Sequence, residues 1–297
     1  MNLSHLYYFK TLAETKNYQK TAQAVSVSQP TLSLAISGLE KELAVPLFVR
    51  KKGSVELTDD GRAFYQYVST SLRFLDKGLD LMKERSGNTK RVINIGTIYS
   101  AQSTDWSQLI YDFRRQMHGD VQINIKQSTT PDLLRKIKNA TIDVAFAGTM
   151  GPDPDLVFHP CWTQEATLVV NRLHPFSDRE WISLDDLRGH YVISYDLRGP
   201  LGPELTDLVG HHNLSIDYNY ADEITLASIV AANPDIMAIA CHSWLLNSYD
   251  EEIRTVKIAE APSVFRQLFT IYRSDVKHPY IVNEFIKLAR SLYPDQE

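Results

Sequence analysis

A chain of 297 residues that is 43% hydrophobic can bury the cores of two or three domains, yet it shows no apolar run approaching a membrane span and no signal-peptide core at its N-terminus. Cys161 and Cys241 stand alone without CxxC or zinc spacing, which excludes a disulfide scaffold and a zinc module and points to the cytoplasm. The net charge of −5 would argue against nucleic acid, but residues 1–90 hold 13 Lys and Arg against 9 Asp and Glu while the remainder holds 18 against 27, a mildly basic head on an acidic body.

The first predicted helix covers about residues 3–16 and turns Leu3, Leu6, Tyr7, Phe9, Leu12 and Ala13 toward its successors. Two further short helices meet at Val25-Ser26-Val27. Ser28 is placed to cap the second by accepting a backbone N–H of its first turn, and Pro30 sits where its missing N–H costs nothing. Leu32, Ile36, Leu39 and Leu43 recur at helical spacing and predict a buried stripe. Gln29, Thr31, Ser33 and Ser37 fall on the opposite face as short uncharged hydrogen-bonding groups, suited to base edges in a major groove.

Residues 47–50 and 54–57 alternate as strands around Lys51-Lys52-Gly53. Arg50, Lys51 and Lys52 at the tip are placed for phosphates; a solvated charged turn is the plainer alternative. Thr58 is the predicted cap of a long helix running to about residue 85, with Asp59 and Asp60 near its positive end. Phe64, Tyr67, Val68, Phe74, Leu75, Leu81 and Met82 mark a near-heptad stripe, as expected for pairing with a second copy; packing on its own N-terminal domain is the alternative. Ser86-Gly87-Asn88-Thr89 reads as a flexible polar break.

From Arg91 the pattern changes to strand–helix alternation: strand 92–96, helix 106–116, strand 121–125, helix 130–139 and strand 142–146, hence βαβαβ and a parallel sheet covered by helices. Thr130 before Pro131 is a candidate N-cap. Further strands are expected at 165–171, 190–195, 218–221 and 267–272, with helices at 225–232 and 279–292. Ligands in open α/β sheets bind beyond the carboxyl ends of strands. The loops 97–102 and 127–130 satisfy that rule, facing Tyr195, Arg198 and the 222–225 turn on position. Tyr99, Phe146 and Tyr195 could line such a site, with Phe146 better suited to the core. His211-His212 has no spaced acidic or thiolate partner, so a surface loop is expected there and no metal site. Cys241 reads as a buried small hydrophobe, and a redox pair with Cys161 would need reachable, activated thiols. No GxSxG, Walker loop, HExxH or paired-carboxylate signature is present, so no catalytic residue is assigned.

Phe9, Ala22, Ser28-Gln29-Pro30, Ser33, Ile36, Leu39-Glu40, Leu47-Phe48, Arg50, Leu57-Thr58 and Gly61 stand in the order of a known pattern. With them the N-terminal segment resembles the winged helix-turn-helix of LysR-type transcriptional regulators. Ile95-Gly96, Ile142-Asp143, His174-Pro175 and Val230-Ala231-Ala232 extend the resemblance to that family's effector domain, a two-lobed α/β fold similar to periplasmic solute-binding proteins. The resemblance implies a winged helix-turn-helix at 1–58, a long linker helix and break at 59–90, and an effector-binding domain at 91–297. Its lobes would be 91–162 with 267–297, and 163–266, hinged near 161–164 and 264–267. DNA contacts would come from Ser28, Gln29, Pro30, Thr31, Ser33, Ser37, Arg50, Lys51 and Lys52. Ser100 and Thr130 match effector-contacting positions, with Tyr99, Gln102, Thr129, Tyr195, Arg198, Glu223 and Thr225 as further candidates.

The implied function is a sequence-specific regulator modulated by a small-molecule effector in the interlobe cleft, without a further cofactor. The implied partners are promoter DNA, RNA polymerase and copies of the chain itself: a homodimer through the 59–86 helix and a homotetramer. Some residues depart from the family. Thr21 stands where Ala is usual, and Ala44 where Gly is usual. Leu34, Ala35 and Ser37 replace long polar or basic side chains, so base contacts should concentrate in Gln29, Thr31 and Ser33, with affinity leaning on the wing. Asn233-Pro234-Asp235 replaces a Gly-rich turn. Gly148 stands where some members place an Arg that pairs with a carboxylate effector, leaving Arg198 as the candidate cation. An enzyme on the two-lobed domain would need a convergent acid/base or nucleophile set, and a purely structural DNA protein would leave the acidic half without a role.

Overall fold

Three short helices, α1 (Leu3–Thr15), α2 (Tyr18–Ala24) and α3 (Gln29–Leu43), each begin at a side chain able to satisfy an otherwise unpaired backbone N–H. Asn2 accepts from Ser4, Asn17 from Lys20, and Ser28 from Thr31 at 3.2 Å. In this computed structural model the described residues are 1–51, 54–85, 91–210 and 212–293; Lys52, Gly53, the expected break at 86–89 and His211 lie outside them. The chain forms two compact units, Met1–Thr89 and Lys90–Glu297.

In the first unit, Ser26 makes the turn between α2 and α3 at φ 56°, and Ala44 ends α3 at φ 57°. Strands β1 (Phe48–Lys51) and β2 (Ser54–Leu57) pair antiparallel, with Phe48 opposite Leu57. Glu40 Oε1 accepts the N–H groups of Leu47 and Phe48 at 2.8 and 3.1 Å, which fixes the hairpin to α3. The long helix α4 (Asp59–Arg85) opens as expected: Thr58 Oγ1 accepts from Gly61 and donates to the Pro46 carbonyl. A Cβ on Gly61 would stand 2.1 Å from the Leu47 carbonyl oxygen, so helix and hairpin can approach this closely only at glycine.

Phe9, Leu12, Leu32, Ile36, Leu39 and Leu47 form the core of this unit together with Val68 and Leu72 of α4. Phe64 and Val68, expected in a pairing stripe, therefore pack against their own unit. Tyr67, Leu75, Leu79 and Met82 of the same helix are exposed. Tyr7 Oη donates to Asp76 Oδ1 at 2.5 Å, and that bond pushes the phenol up to about 12. Thr21 keeps its buried hydroxyl by donating to the Asn17 carbonyl and meeting Thr15 Oγ1, which accommodates a polar atom where alanine is usual.

The second unit contains two sheets. Strands β3 (Val92–Thr97), β4 (Gln122–Gln127) and β5 (Val144–Ala147), with helices α5 (Thr104–Gln116) and α6 (Thr130–Lys138), make the expected βαβαβ, β3 running parallel to both neighbours. With β6 (Leu156–Gln164) and β13 (Arg266–Arg273) they complete a five-stranded sheet in the order β4-β3-β5-β13-β6. The helix α9 (Tyr280–Leu292) packs on it through Phe285, against Phe113 and Phe146.

The other sheet has six strands: β7 (Ala166–Asn171), β8 (Trp181–Ile182), β9 (Tyr191–Tyr195), β10 (Ile216–Tyr220), β11 (Ile236–Cys241) and β12 (Ile253–Ile258) in the order β10-β9-β11-β7-β12-β8. Helices α7 (Gly202–Val209) and α8 (Glu223–Ala232) complete it over a separate core. Strands β6, β8, β11 and β12 and helix α7 were not predicted. The Asn233 turn adopts an extended conformation while Asn171 Nδ2 donates to the Val230 and Ala231 carbonyls, so α8 ends without the left-handed residue a Gly-rich turn supplies.

The chain passes between the sheets twice, at Glu165 between β6 and β7 and again between β12 and β13. The passages are fastened together: Arg266 lies opposite Gln164, and the Phe265 N–H donates to the Gln164 carbonyl at 3.0 Å. No described helix is long and apolar enough to cross a membrane.

Candidate functional site

Burial divides α3 into two faces. Leu32, Ala35, Ile36 and Leu39 are in the core, so Ala35 belongs to the inward face and not among the outward departures. Gln29, Pro30, Thr31, Leu34 and Ser37 are exposed, and Ser33 is half-buried. Leu34 is 75% exposed, an apolar group in the middle of a polar row. Ser28 both caps the helix and shares a hydrogen bond with Thr31 Oγ1 at 2.7 Å, so its hydroxyl is already engaged. In the hairpin Arg50 is exposed, Lys51 Nζ pairs with Glu56 at 2.7 Å, and Lys52 is outside the described residues.

A second polar constellation lies within the Lys90–Glu297 unit. Arg266 is the first residue of β13, and its side chain is only 9% exposed. Its Nη1 donates weakly to Ser100 Oγ at 3.3 Å and to Gln164 Oε1 at 3.4 Å. Glu223, the first residue of α8 and 5% exposed, brings Oε1 to 3.7 Å from the same nitrogen, an ion-pair distance too long for a hydrogen bond. Arg266 Nε, Glu223 Oε1 and Thr130 Oγ1 are buried with no hydrogen-bond partner. The point where a Cβ on Gly148 would lie is 3.6 Å from Arg266 Nε, 3.6 Å from its Nη2 and 3.7 Å from Thr130 Oγ1. Thus Ser100, Thr130, Gly148, Gln164, Glu223 and Arg266 meet at one place. Buried polar atoms are normally paired, and this group of unpaired ones makes the place a candidate binding site.

Other expected site residues are placed differently. Thr130 is not the N-cap of α6; Thr129 occupies that position, exposed and without a side-chain cap bond, which leaves the Thr130 hydroxyl free to face the site. Gln102 Nε2 is buried and unpaired close in sequence to Ser100. Tyr99 is half exposed, Thr225 is exposed, and Tyr195 is buried with its hydroxyl accepting the Cys241 N–H at 2.8 Å.

Arg198 corrects the expected source of the cation. Its side chain is 91% exposed and forks onto Asp196, holding that carboxyl down at about 2. The guanidinium beside Gly148 belongs to Arg266, which sequence reasoning missed. The available signal was an arginine placed immediately before the expected strand 267–272. Burial pushes the Cys161 and Cys241 thiols up to about 12, so neither is poised as a reactive thiolate. His212 Nδ1 donates to Asp185 Oδ1 at 3.1 Å, and the described residues contain no group of three or more metal-ligating side chains.

A helix-turn-helix with a basic hairpin, joined in one chain to an α/β unit holding a buried polar site, defines a DNA-binding regulator with a ligand domain. Residues 3–62 match the family described as bacterial regulatory helix-turn-helix protein, lysR family, and residues 86–293 match the LysR substrate binding domain. The transcriptional regulator CatR of Pseudomonas putida is 26% identical over 287 residues, spanning 93% of this chain and 94% of its own. Full-length CbnR complexed with its target DNA superposes with a TM-score of 0.73 at 20% identity, over 98% of this chain and 100% of that one. The effector-binding domain of QuiR in complex with shikimate superposes with a TM-score of 0.61 at 21% identity, over 68% and 96%. The chain belongs to the LysR family of transcriptional regulators, DNA-binding proteins with an effector-binding domain and not enzymes.

Proposed function

We propose that two copies of the chain pair through α4 and set two α3 helices into successive major-groove half-sites of promoter DNA. The observation that carries this reading is the exposed row Gln29, Thr31, Leu34 and Ser37 on a helix whose opposite face is fully buried. Gln29 and Thr31 supply hydrogen bonds to base edges, and Leu34 supplies apolar contact of the kind a thymine methyl accepts. Ser28, Pro30 and Ser33 shape the helix start, and Arg50, Lys51 and Lys52 contact flanking phosphates. A small-molecule effector binds at Ser100, Thr130, Glu223 and Arg266 and alters the spacing of the paired DNA-binding units. The shikimate held by the similar QuiR domain supports a small-molecule ligand for this domain. A homotetramer acting in the cytoplasm and meeting RNA polymerase at the promoter completes the reading.

The test uses an operator selected from genomic fragments. Gln29→Ala with Thr31→Ala should cost ~1–3 kcal/mol of specific binding and leave binding to random DNA unchanged. Arg50→Ala with Lys51→Ala should weaken both alike and lower the salt slope by about 1–2. Equal effects of the two pairs on specific and random DNA would remove α3 from the role of reader.

A further inference from the structure

We propose that the effector is a small zwitterion, a molecule bearing a carboxylate and a cationic amine on the same carbon, clasped between Arg266 and Glu223. The inference rests on the reading of this constellation as the effector site.

Its first support is charge. The site holds one buried cation and one buried anion, a sum of zero. A carboxylate alone would leave an uncompensated negative charge away from water, and an amine alone a positive one; either is costly. A zwitterion keeps the sum at zero.

The second support is geometry. Arg266 and Glu223 attract each other across 3.7 Å without a hydrogen bond, so each retains capacity on the atom nearest its partner or beside it. A buried pair is stable only when its remaining donors and acceptors are satisfied, and here Nε and Oε1 are not. A ligand carboxylate can accept from the Nε and Nη2 edge of the guanidinium in the two-pronged manner that arginine favours. Thr130 Oγ1, otherwise unpaired, can donate to the same carboxylate beside Gly148. A ligand ammonium then donates to Glu223 Oε1. The absence of a side chain on Gly148 leaves the guanidinium edge and the threonine hydroxyl uncovered toward the same point, where any side chain longer than a methyl would press on the guanidinium.

Thermal midpoints and calorimetry on the full chain test this with the common L-α-amino acids, each beside its N-acetyl and its carboxamide derivative. At least one free amino acid should raise the midpoint while both of its capped derivatives fail. Arg266→Lys, which keeps the charge but loses the fork, should weaken that amino acid by roughly tenfold or more. Glu223→Gln should weaken it and reduce the discrimination against the N-acetyl derivative. Thr130→Val, close in shape and remote from the ion pair's folding role, should weaken it several-fold and serves if either charged variant fails to fold. Equal stabilisation by an N-acetyl derivative or a carboxamide overturns the proposal. So does stabilisation only by carboxylates without an amine, such as benzoate or shikimate; if Arg266→Lys abolishes that effect, the site reading survives. A ligand shift untouched by all three variants overturns the site reading as well. No shift with any amino acid overturns the zwitterion.

Discussion

Ala44 holds φ 57° at the end of α3, a conformation in which a Cβ crowds the following carbonyl and which costs an ordinary residue ~1–2 kcal/mol. Glycine escapes that cost but loses more freedom on folding, so Ala44→Gly should stabilise the DNA-binding unit by about 1 kcal/mol. The measurement is a higher urea midpoint at unchanged slope, and a lower midpoint would contradict the strain. This residue also shows what a sequence discloses. A left-handed helix end is legible because glycine or its absence is a local matter, as is the Ser28 cap. Thr31 and Gln29 were likewise legible as a polar face from spacing alone. Arg266 was not. Its significance depends on Gly148, Thr130 and Glu223, brought beside it by three separate turns of chain, and no local pattern encodes that meeting. The empty place of an arginine was visible at Gly148; the guanidinium that occupies the neighbouring space arrives from another strand.

The long helix α4 divides along its length. Its first half contributes Val68 and Leu72 to its own unit, while Leu75, Leu79 and Met82 further along remain exposed. Leucines spaced at one helical turn on an uncovered surface are the pattern of a helix pair. Leu75→Glu with Leu79→Glu should therefore yield a folded monomer in sedimentation, with operator affinity lower by roughly 100-fold from lost avidity. A dimer surviving both changes would place the interface elsewhere. Element type was legible where periodicity was strong, as in α3, α4 and the βαβαβ segment. It failed for β11, whose run Ile236–Cys241 is apolar on both faces and gives no alternation to separate strand from helix. It failed for α7 because Gly202 and Pro203 in the first turn look like loop residues. The structure explains the glycine: a Cβ there would lie 1.8 Å from the Leu197 carbonyl oxygen. Pro203 is tolerated because a helix start needs no N–H.

At the scale of the whole chain, the core of Met1–Thr89 shares no residue with the two cores of Lys90–Glu297. Scanning calorimetry should resolve separate transitions for the two units. Ala44→Gly should move only the one that belongs to the DNA-binding unit, and saturating operator DNA at a hundredfold over its Kd should stabilise that unit by about 2.7 kcal/mol. A single transition displaced as a whole by both would show that the units unfold together. The basic head and the acidic body predicted two such parts, and the family pattern assigned their roles and put the passages near 161–164 and 264–267, but the bonding of Gln164 to Arg266 across them lay beyond either. That fastening has a mechanical consequence. Were one sheet to turn against the other about these passages, Arg266 would stand at the fulcrum, whereas β4 and β10 lie at edges of the two sheets. Near a fulcrum little travel is available, so a guest grasped there would act by torque. A small shift of the guanidinium would then be multiplied along each sheet by the length of the lever, with the largest excursions on the strands farthest from the molecule that causes them.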